Sequence, residues 1–224
     1  VITIAIPWIW WKTRNNVNAE GKKLNIDDAL FQIRREAADY EAFCLKRPTQ
    51  RLDTQQIWVP PQGDFLKINT DGSFRKDTQD GGWGFIVRDK EGEAVGAVAG
   101  ILKFIHGSLQ VEAEACIHAL QAAQGWAMTN IILETDSKQL VQAITTHDYD
   151  LSPNGVLFRE IKAFARPNFS SFFVFYCPRL CNKVADALAA FGAKMDANPQ
   201  AVWPGGAPTF VQDLVANDYA VLVG

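Results

Sequence analysis

Apolar and polar positions change their spacing several times along the chain, and each change marks an element. In Phe65–Thr70, Trp83–Arg88 and Glu93–Leu102 the apolar residues fall in short runs of the kind strands show. The last two runs are joined by Asp89-Lys90-Glu91-Gly92, a hairpin signal, so three consecutive antiparallel strands are expected. An Ala-rich stretch from about Leu109 to Met128 then runs at helical spacing. After it come a short apolar strand over Asn130–Glu134, a helix beginning near Ser137 and a second helix from Pro153 to about Phe164. Ser171–Tyr176 predicts a fifth strand, and Leu180–Lys194 a last helix rich in Ala and Leu. This order predicts an α/β fold over residues 64–195: a mixed five-stranded sheet, three strands antiparallel and then two parallel, flanked by helices.

The flanks have a different texture. Residues 1–63 hold a Trp-rich opening, a helix from about Ile26 to Leu45 capped by Asp27 or Asp28, and a break at Trp58-Val59-Pro60-Pro61-Gln62-Gly63. Proline lacks a ladder donor and restrains its predecessor, so this unit reads as an arm and a linker ending near residue 63. Trp8, Trp10 and Trp11 are expected to pack on the arm helix or a neighbouring domain rather than stack on bases. Residues 196–224 read as a tail. It is broken at Asn198-Pro199 and Trp203-Pro204-Gly205-Gly206, and continues as a short amphipathic segment, Phe210 to Val223, expected to dock through Phe210, Leu214 and Val215.

Composition narrows the classes. With 224 residues, 48% apolar and 21% charged, the chain is an ordinary globular protein, which excludes disordered and collagen-like readings. Its 22 Lys and Arg stand against 25 Asp and Glu, a net charge of −3, so no whole-chain basic field attracts nucleic acid or membrane and any nucleic-acid contact has to be local. Cys44, Cys116, Cys177 and Cys181 form neither a Cys-x-x-Cys pair nor zinc-site spacing with histidine. Buried reduced thiols and an intracellular setting are expected, with nucleus and cytoplasm both open. The apolar run Val1–Trp11 is too short to span a bilayer, and it lacks the basic region and cleavage site of a signal peptide. No membrane association is expected. A start at Val rather than Met leads us to expect a fragment or processed product.

Four acids stand out by position. Asp71 ends the first predicted strand before Gly72 and Ser73, where Gly72 leaves room for a ligand to approach. Glu114 lies early in the Ala-rich helix, Asp136 ends the fourth strand, and Asp186 sits among Val184, Ala185, Ala187 and Leu188. Singly, each has a simpler reading: a turn acid, a residue on a solvated helix face, or an N-cap. Together they come from four elements that a parallel pairing of strands one and four gathers at one edge. Carboxylates that close raise one another's pKa unless cations neutralise them, and an all-oxygen donor set favours Mg²⁺ or Mn²⁺ over zinc.

Thr70-Asp71-Gly72-Ser73, Gly81 to Asp89, Glu112-Ala113-Glu114-Ala115, Glu134 to Lys138 and Asn182 to Ala189 resemble the successive motifs of ribonuclease H in its plant form. The Trp-rich arm and the tail around Trp203-Pro204 and Phe210–Leu214 resemble segments that flank this domain in plant non-LTR retrotransposon polyproteins. The resemblance implies a ribonuclease H fold with a metal site of Asp71, Glu114, Asp136 and Asp186. It implies two Mg²⁺ ions, with Mn²⁺ as a substitute, and hydrolysis of the RNA strand of an RNA–DNA hybrid to a 3′-hydroxyl and a 5′-phosphate. Gly72, Ser73 and Asn182 become hybrid contacts, and a reverse transcriptase or other polyprotein domain becomes an upstream partner. Glu112 rivals Glu114 for the glutamate role; Glu114 is preferred for its motif position.

Two departures matter. Where many members carry a His shortly before the last helix, this chain has Tyr176-Cys177-Pro178-Arg179, while His106, His118 and His147 lie elsewhere. It also lacks the basic insertion some members use to grip hybrids. Residues 64–195 carry a net −2, or +2 without the four acids, so phosphate attraction is modest and salt-sensitive. Retention of all four acids argues for an enzyme, with slower turnover an expected consequence of the missing His. The departures argue for a non-catalytic module that binds nucleic acid or protein.

Overall fold

The computed structural model describes residues 57–196 and 199–223. The expected arm helix, Trp8, Trp10, Trp11 and Cys44 lie outside them. The elements, in chain order, begin with three strands, β1 (Leu66–Arg75), β2 (Asp80–Arg88) and β3 (Ala94–Leu102). There follow α1 (Ser108–Gly125), β4 (Asn130–Thr135), α2 (Lys138–Thr145), α3 (Gly155–Asn168) and β5 (Ser171–Tyr176). A 3₁₀ turn at Arg179–Cys181 precedes α4 (Lys183–Gly192), β6 (Gln200–Pro204) and α5 (Thr209–Val223). The sheet is mixed, in the order β5-β4-β1-β2-β3-β6. β1, β2, β3 and β6 pair antiparallel, and β4 runs parallel to both β1 and β5.

Local chemistry sets the junctions. The Asp89 Oδ1 accepts from the Glu91 and Glu93 N–H groups and closes the β2–β3 hairpin. Ser137 caps α2, its Oγ accepting from the Leu140 N–H. β2 is almost wholly buried because both faces are covered, by α1 on one side and α4 on the other. The larger core lies between the sheet and α1, α2 and α3, around Phe85, Leu120, Leu133 and Phe158. A smaller one joins Ile86, Ala97 and Ala99 to Val184 and Leu188 of α4 and Val211 of α5.

The sheet has six strands, one more than expected. Gln200–Pro204, read from the sequence as a break, pairs with β3 at Ala97↔Trp203 and Ala99↔Ala201 and occupies what would otherwise be the sheet's open edge. Its five residues end at Pro204, which an edge strand tolerates and which hid the strand from pattern reading. The tail segment is α5, and it docks as expected through Leu214 and Val215, with Val211 fully buried. Phe210 stacks on Phe191 at the rim, centroids 4.9 Å apart. The described residues form one compact unit. Trp58, in the expected linker, is only 2% exposed and packs with Cys177 and Cys181.

β1 and β2 are longer than their apolar runs. Asp71 lies inside β1, opposite Gly84, and β2 begins at Asp80, before Gly81 and Gly82. Glycine reads weakly as strand, yet here the packing requires it. A Cβ on Gly84 would stand 2.4 Å from the Ala189 nitrogen, so α4 can lie on β2 only because no side chain intervenes. Among the described residues, no helix is long and apolar enough to cross a membrane.

Candidate metal centre

Each acid reaches the site for a local reason. Asp71 pairs with Gly84 and so points to the face that α4 covers, where Asp186 stands in the first turn of that helix. Asp136 follows directly on β4, the parallel neighbour of β1. Glu112 comes from α1, on the other layer. Its approach depends on Gly72, where a Cβ would lie 2.8 Å from both the Glu112 nitrogen and the Val111 carbonyl carbon. The room that glycine leaves is filled by the α1 backbone rather than by a ligand.

One carboxylate oxygen from each of Asp71, Glu112 and Asp136 lies within 4.8 Å of the others. Asp186 lines the same cleft of about 320 Å³, together with Gly72, Ser73 and Arg179. Burial raises the Asp71 carboxyl well above the usual carboxylate range, with Asp136 and Asp186 adding to it and the Gly72 N–H partly opposing. Burial also raises Glu112, reinforced by Asp71 and Asp136. Asp136 is raised by burial and lowered by Arg179. As a group, these acids are held too close together to carry their charges unaided.

The donor set fits a hard divalent cation. Every donor is a carboxylate oxygen, and the Glu112 Oε2 is buried with no hydrogen-bond partner. A buried lone pair without a donor is costly unless a cation completes it.

The expected glutamate is not in this group. Glu114 is two residues from Glu112, about 200° around the helix at 3.6 residues per turn. Its carboxyl is raised by burial and by Glu160 of α3. The structure brings Glu112, and not Glu114, to Asp71 and Asp136; motif position favoured Glu114, and only the helix phase separates the two. Asn182 is likewise not on the surface. It is 1% exposed, its amide donates to the Thr70 carbonyl at 2.9 Å and accepts from the Asn69 amide at 3.3 Å.

Sequence reading passed over Arg179 except as an occupant of the stretch where relatives carry a His. Its Nη2 donates to the Asp186 Oδ1 at 3.3 Å from a side chain that is 79% exposed. Asp186, Asp136 and Asp71 all favour its charged form. No histidine enters the cleft: His118 stacks on Trp83 with centroids 4.1 Å apart, and His147 pairs with Asp150 at 2.7 Å. Cys116, Cys177 and Cys181 are free and buried, as expected.

A mixed sheet that gathers acids where β1 and β4 run side by side defines a ribonuclease H-like domain. The chain belongs to the reverse transcriptase-like family, whose model matches residues 69–192, more than half of its length. Among solved structures, LC11-RNase H1, isolated from compost by a metagenomic approach, is 21% identical over 58% of this chain and 96% of its own, with a TM-score of 0.54. The same protein in complex with an RNA/DNA hybrid gives 21%, 57%, 96% and 0.52. The N-terminal RNase H domain of rv2228c from Mycobacterium tuberculosis is 21% identical over 58% of this chain and 93% of that one, with a TM-score of 0.53. These likenesses establish the fold. No curated protein matches the chain.

Proposed function

We propose that the chain is a metal-dependent endoribonuclease that hydrolyses the RNA strand of RNA–DNA hybrids. The observation that carries this reading is the convergence of Asp71, Glu112 and Asp136 within 4.8 Å, with the Glu112 Oε2 buried and unpartnered. Asp71, Glu112, Asp136 and Asp186 would hold the ions, Mg²⁺ or in its place Mn²⁺. When bound, such ions supply Lewis-acid activation of water and charge stabilisation at the leaving oxygen. The protein's part is positioning. Asp71 is fixed within a paired strand, Glu112 is held against it by the Gly72 contact, and Asp186 arrives on α4.

Ser73 lies on the cleft and offers a hydroxyl donor to the sugar–phosphate backbone. Arg179 brings an exposed guanidinium to the same opening and can exchange Asp186 for a substrate phosphate. A hybrid substrate is supported by the fold relative solved with an RNA/DNA hybrid. The plant retrotransposon resemblance supports an origin beside a reverse transcriptase, which makes an upstream polyprotein domain the natural partner.

The test is incubation of the purified chain with a labelled hybrid in Mg²⁺ and then Mn²⁺, beside Asp71→Asn. Cleavage of the RNA strand by the parent alone supports the enzyme. Binding of the hybrid with no cleavage in either metal supports the second reading, a non-catalytic module, which the Arg179–Asp186 pair and the missing His favour.

A further inference from the structure

Next to Asp71 on the same face of β1 lies a buried polar network centred on Asn69. Its amide oxygen accepts from the Trp58 Nε1–H and from the Arg88 Nη2, each at 2.9 Å. Its amide nitrogen donates to the Glu134 Oε2 at 3.1 Å and to the Asn182 Oδ1 at 3.3 Å. Two obligate donors on one side and a carboxylate on the other leave the amide one orientation, with all four of its hydrogen-bonding positions used.

Asn69's own strand and the two segments whose side chains accept from its amide nitrogen are the ones that carry acids. Asn69 and Asp71 are two apart on β1 and share a face; Glu134 stands two before Asp136; Asn182 stands one helical turn before Asp186 and accepts that residue's N–H through its carbonyl, at 3.0 Å. Asn69 therefore ties β1, the end of β4 and the start of α4 together beside the acids.

Part of what holds Asn69 comes from outside residues 69–192, the span of the family match: Trp58 directly, and Lys67 and Asp218 through Glu134 and Arg88, which lie within it. The Trp58 ring lies 3.4 Å from the Arg88 guanidinium carbon, and Asp218 of α5 accepts from the Arg88 Nη1 at 2.7 Å. The Lys67 Nζ binds the Glu134 Oε1 at 2.8 Å and the Val59 carbonyl at 2.6 Å. Both flanks thus end on the same buried hub.

We infer that Asn69 is the positioning residue of the acidic site, and that Trp58 and Asp218, supplied by the flanking segments, hold it in place. The inference rests on the metal-centre reading above. It predicts that metal affinity depends on residues that touch no metal, since partners behind a ligand set typically account for about 10- to 100-fold of affinity.

The experiment is Mn²⁺ binding without substrate, followed by electron paramagnetic resonance of the free ion, on the full chain and on Asn69→Leu, Trp58→Phe and Ile161→Val. Trp58→Phe keeps a ring over Arg88 and deletes a single donor, so it serves if Asn69→Leu does not fold. Ile161→Val, buried in the larger core far along α3, controls for general destabilisation. The expected result is affinity reduced about tenfold in Asn69→Leu, reduced in the same direction in folded Trp58→Phe, and unchanged in Ile161→Val. Parent affinity in folded Trp58→Phe, or an equal loss in Ile161→Val, overturns the inference alone. Absence of Mn²⁺ binding by the parent overturns the metal centre, and the inference with it.

Discussion

Gly72 and Glu112 meet across two layers of the fold, with the Glu112 backbone nitrogen 2.8 Å from where a Gly72 Cβ would stand. This contact brings a carboxylate from α1 to one that β1 holds. A side chain at position 72 has to push the helix away, and the metal site opens with it. Gly72→Ala is expected to destabilise the chain by about 1–3 kcal/mol, the usual range for overpacking. It should also remove hybrid cleavage. Urea unfolding with and without Mg²⁺ checks the first, where the variant should also lose the stabilisation by metal that the parent shows, and initial rates on a labelled hybrid check the second.

Glu112 and Glu114 make a paired test of the site's composition. Glu112→Gln is expected to lower cleavage by at least about 100-fold, since stabilisation through a bound ion is worth several kcal/mol. Glu114→Gln should leave the rate within about twofold, as for a substitution away from the reacting groups. Initial rates on a labelled hybrid decide it, and the reverse pattern would restore the assignment that motif position suggested.

The raised carboxyls of Asp71 and Glu112 set a pH dependence of known sign. Both bind protons more tightly in the folded chain than in the unfolded one. Between the ordinary carboxylate pKa, about 4, and the raised values, the folded state carries the extra protons, so stability is full below that window and falls as pH rises through it. Without divalent metal, the unfolding free energy should therefore decrease from about pH 5 to about pH 8. Saturating Mg²⁺ should flatten or reverse the slope, because the ion binds the deprotonated acids. Denaturant titrations across that range, with and without Mg²⁺, measure it, and Asp71→Asn should shrink the metal-free slope.

Arg179 contributes charge where the substrate's phosphates would enter. Arg179→Ala is expected to weaken hybrid binding at low salt and to reduce the salt dependence of log affinity by about one. Fluorescence anisotropy without divalent metal reads this apart from cleavage. An unchanged salt slope would place Arg179 outside the phosphate path and leave it only the pairing with Asp186.

The spacing of apolar residues determined most of the architecture, because strands and helices that bury one face must write their period into the sequence. The hairpin at Asp89 and the cap at Ser137 were readable because turn and cap positions are local, and Asp71, Asp136 and Asp186, which line one cleft, stood out as acids beside apolar runs. What lay beyond it depended on partners distant in the chain. Gly81 and Gly82 fall outside the apolar run that predicts β2 until Val111 of α1 is seen against the first and Ala189 of α4 against the second, and Gln200–Pro204 is a strand only because β3 offers it an edge. Glu112 and Glu114 are equivalent as letters, and which of them joins Asp71 is decided by the phase of α1 against Gly72. Trp58, Asn69, Arg88, Asn182 and Asp218 carry no shared period at all. Their hydrogen bonds span separations of 11 to 130 residues, so only the folded chain reveals that they belong together.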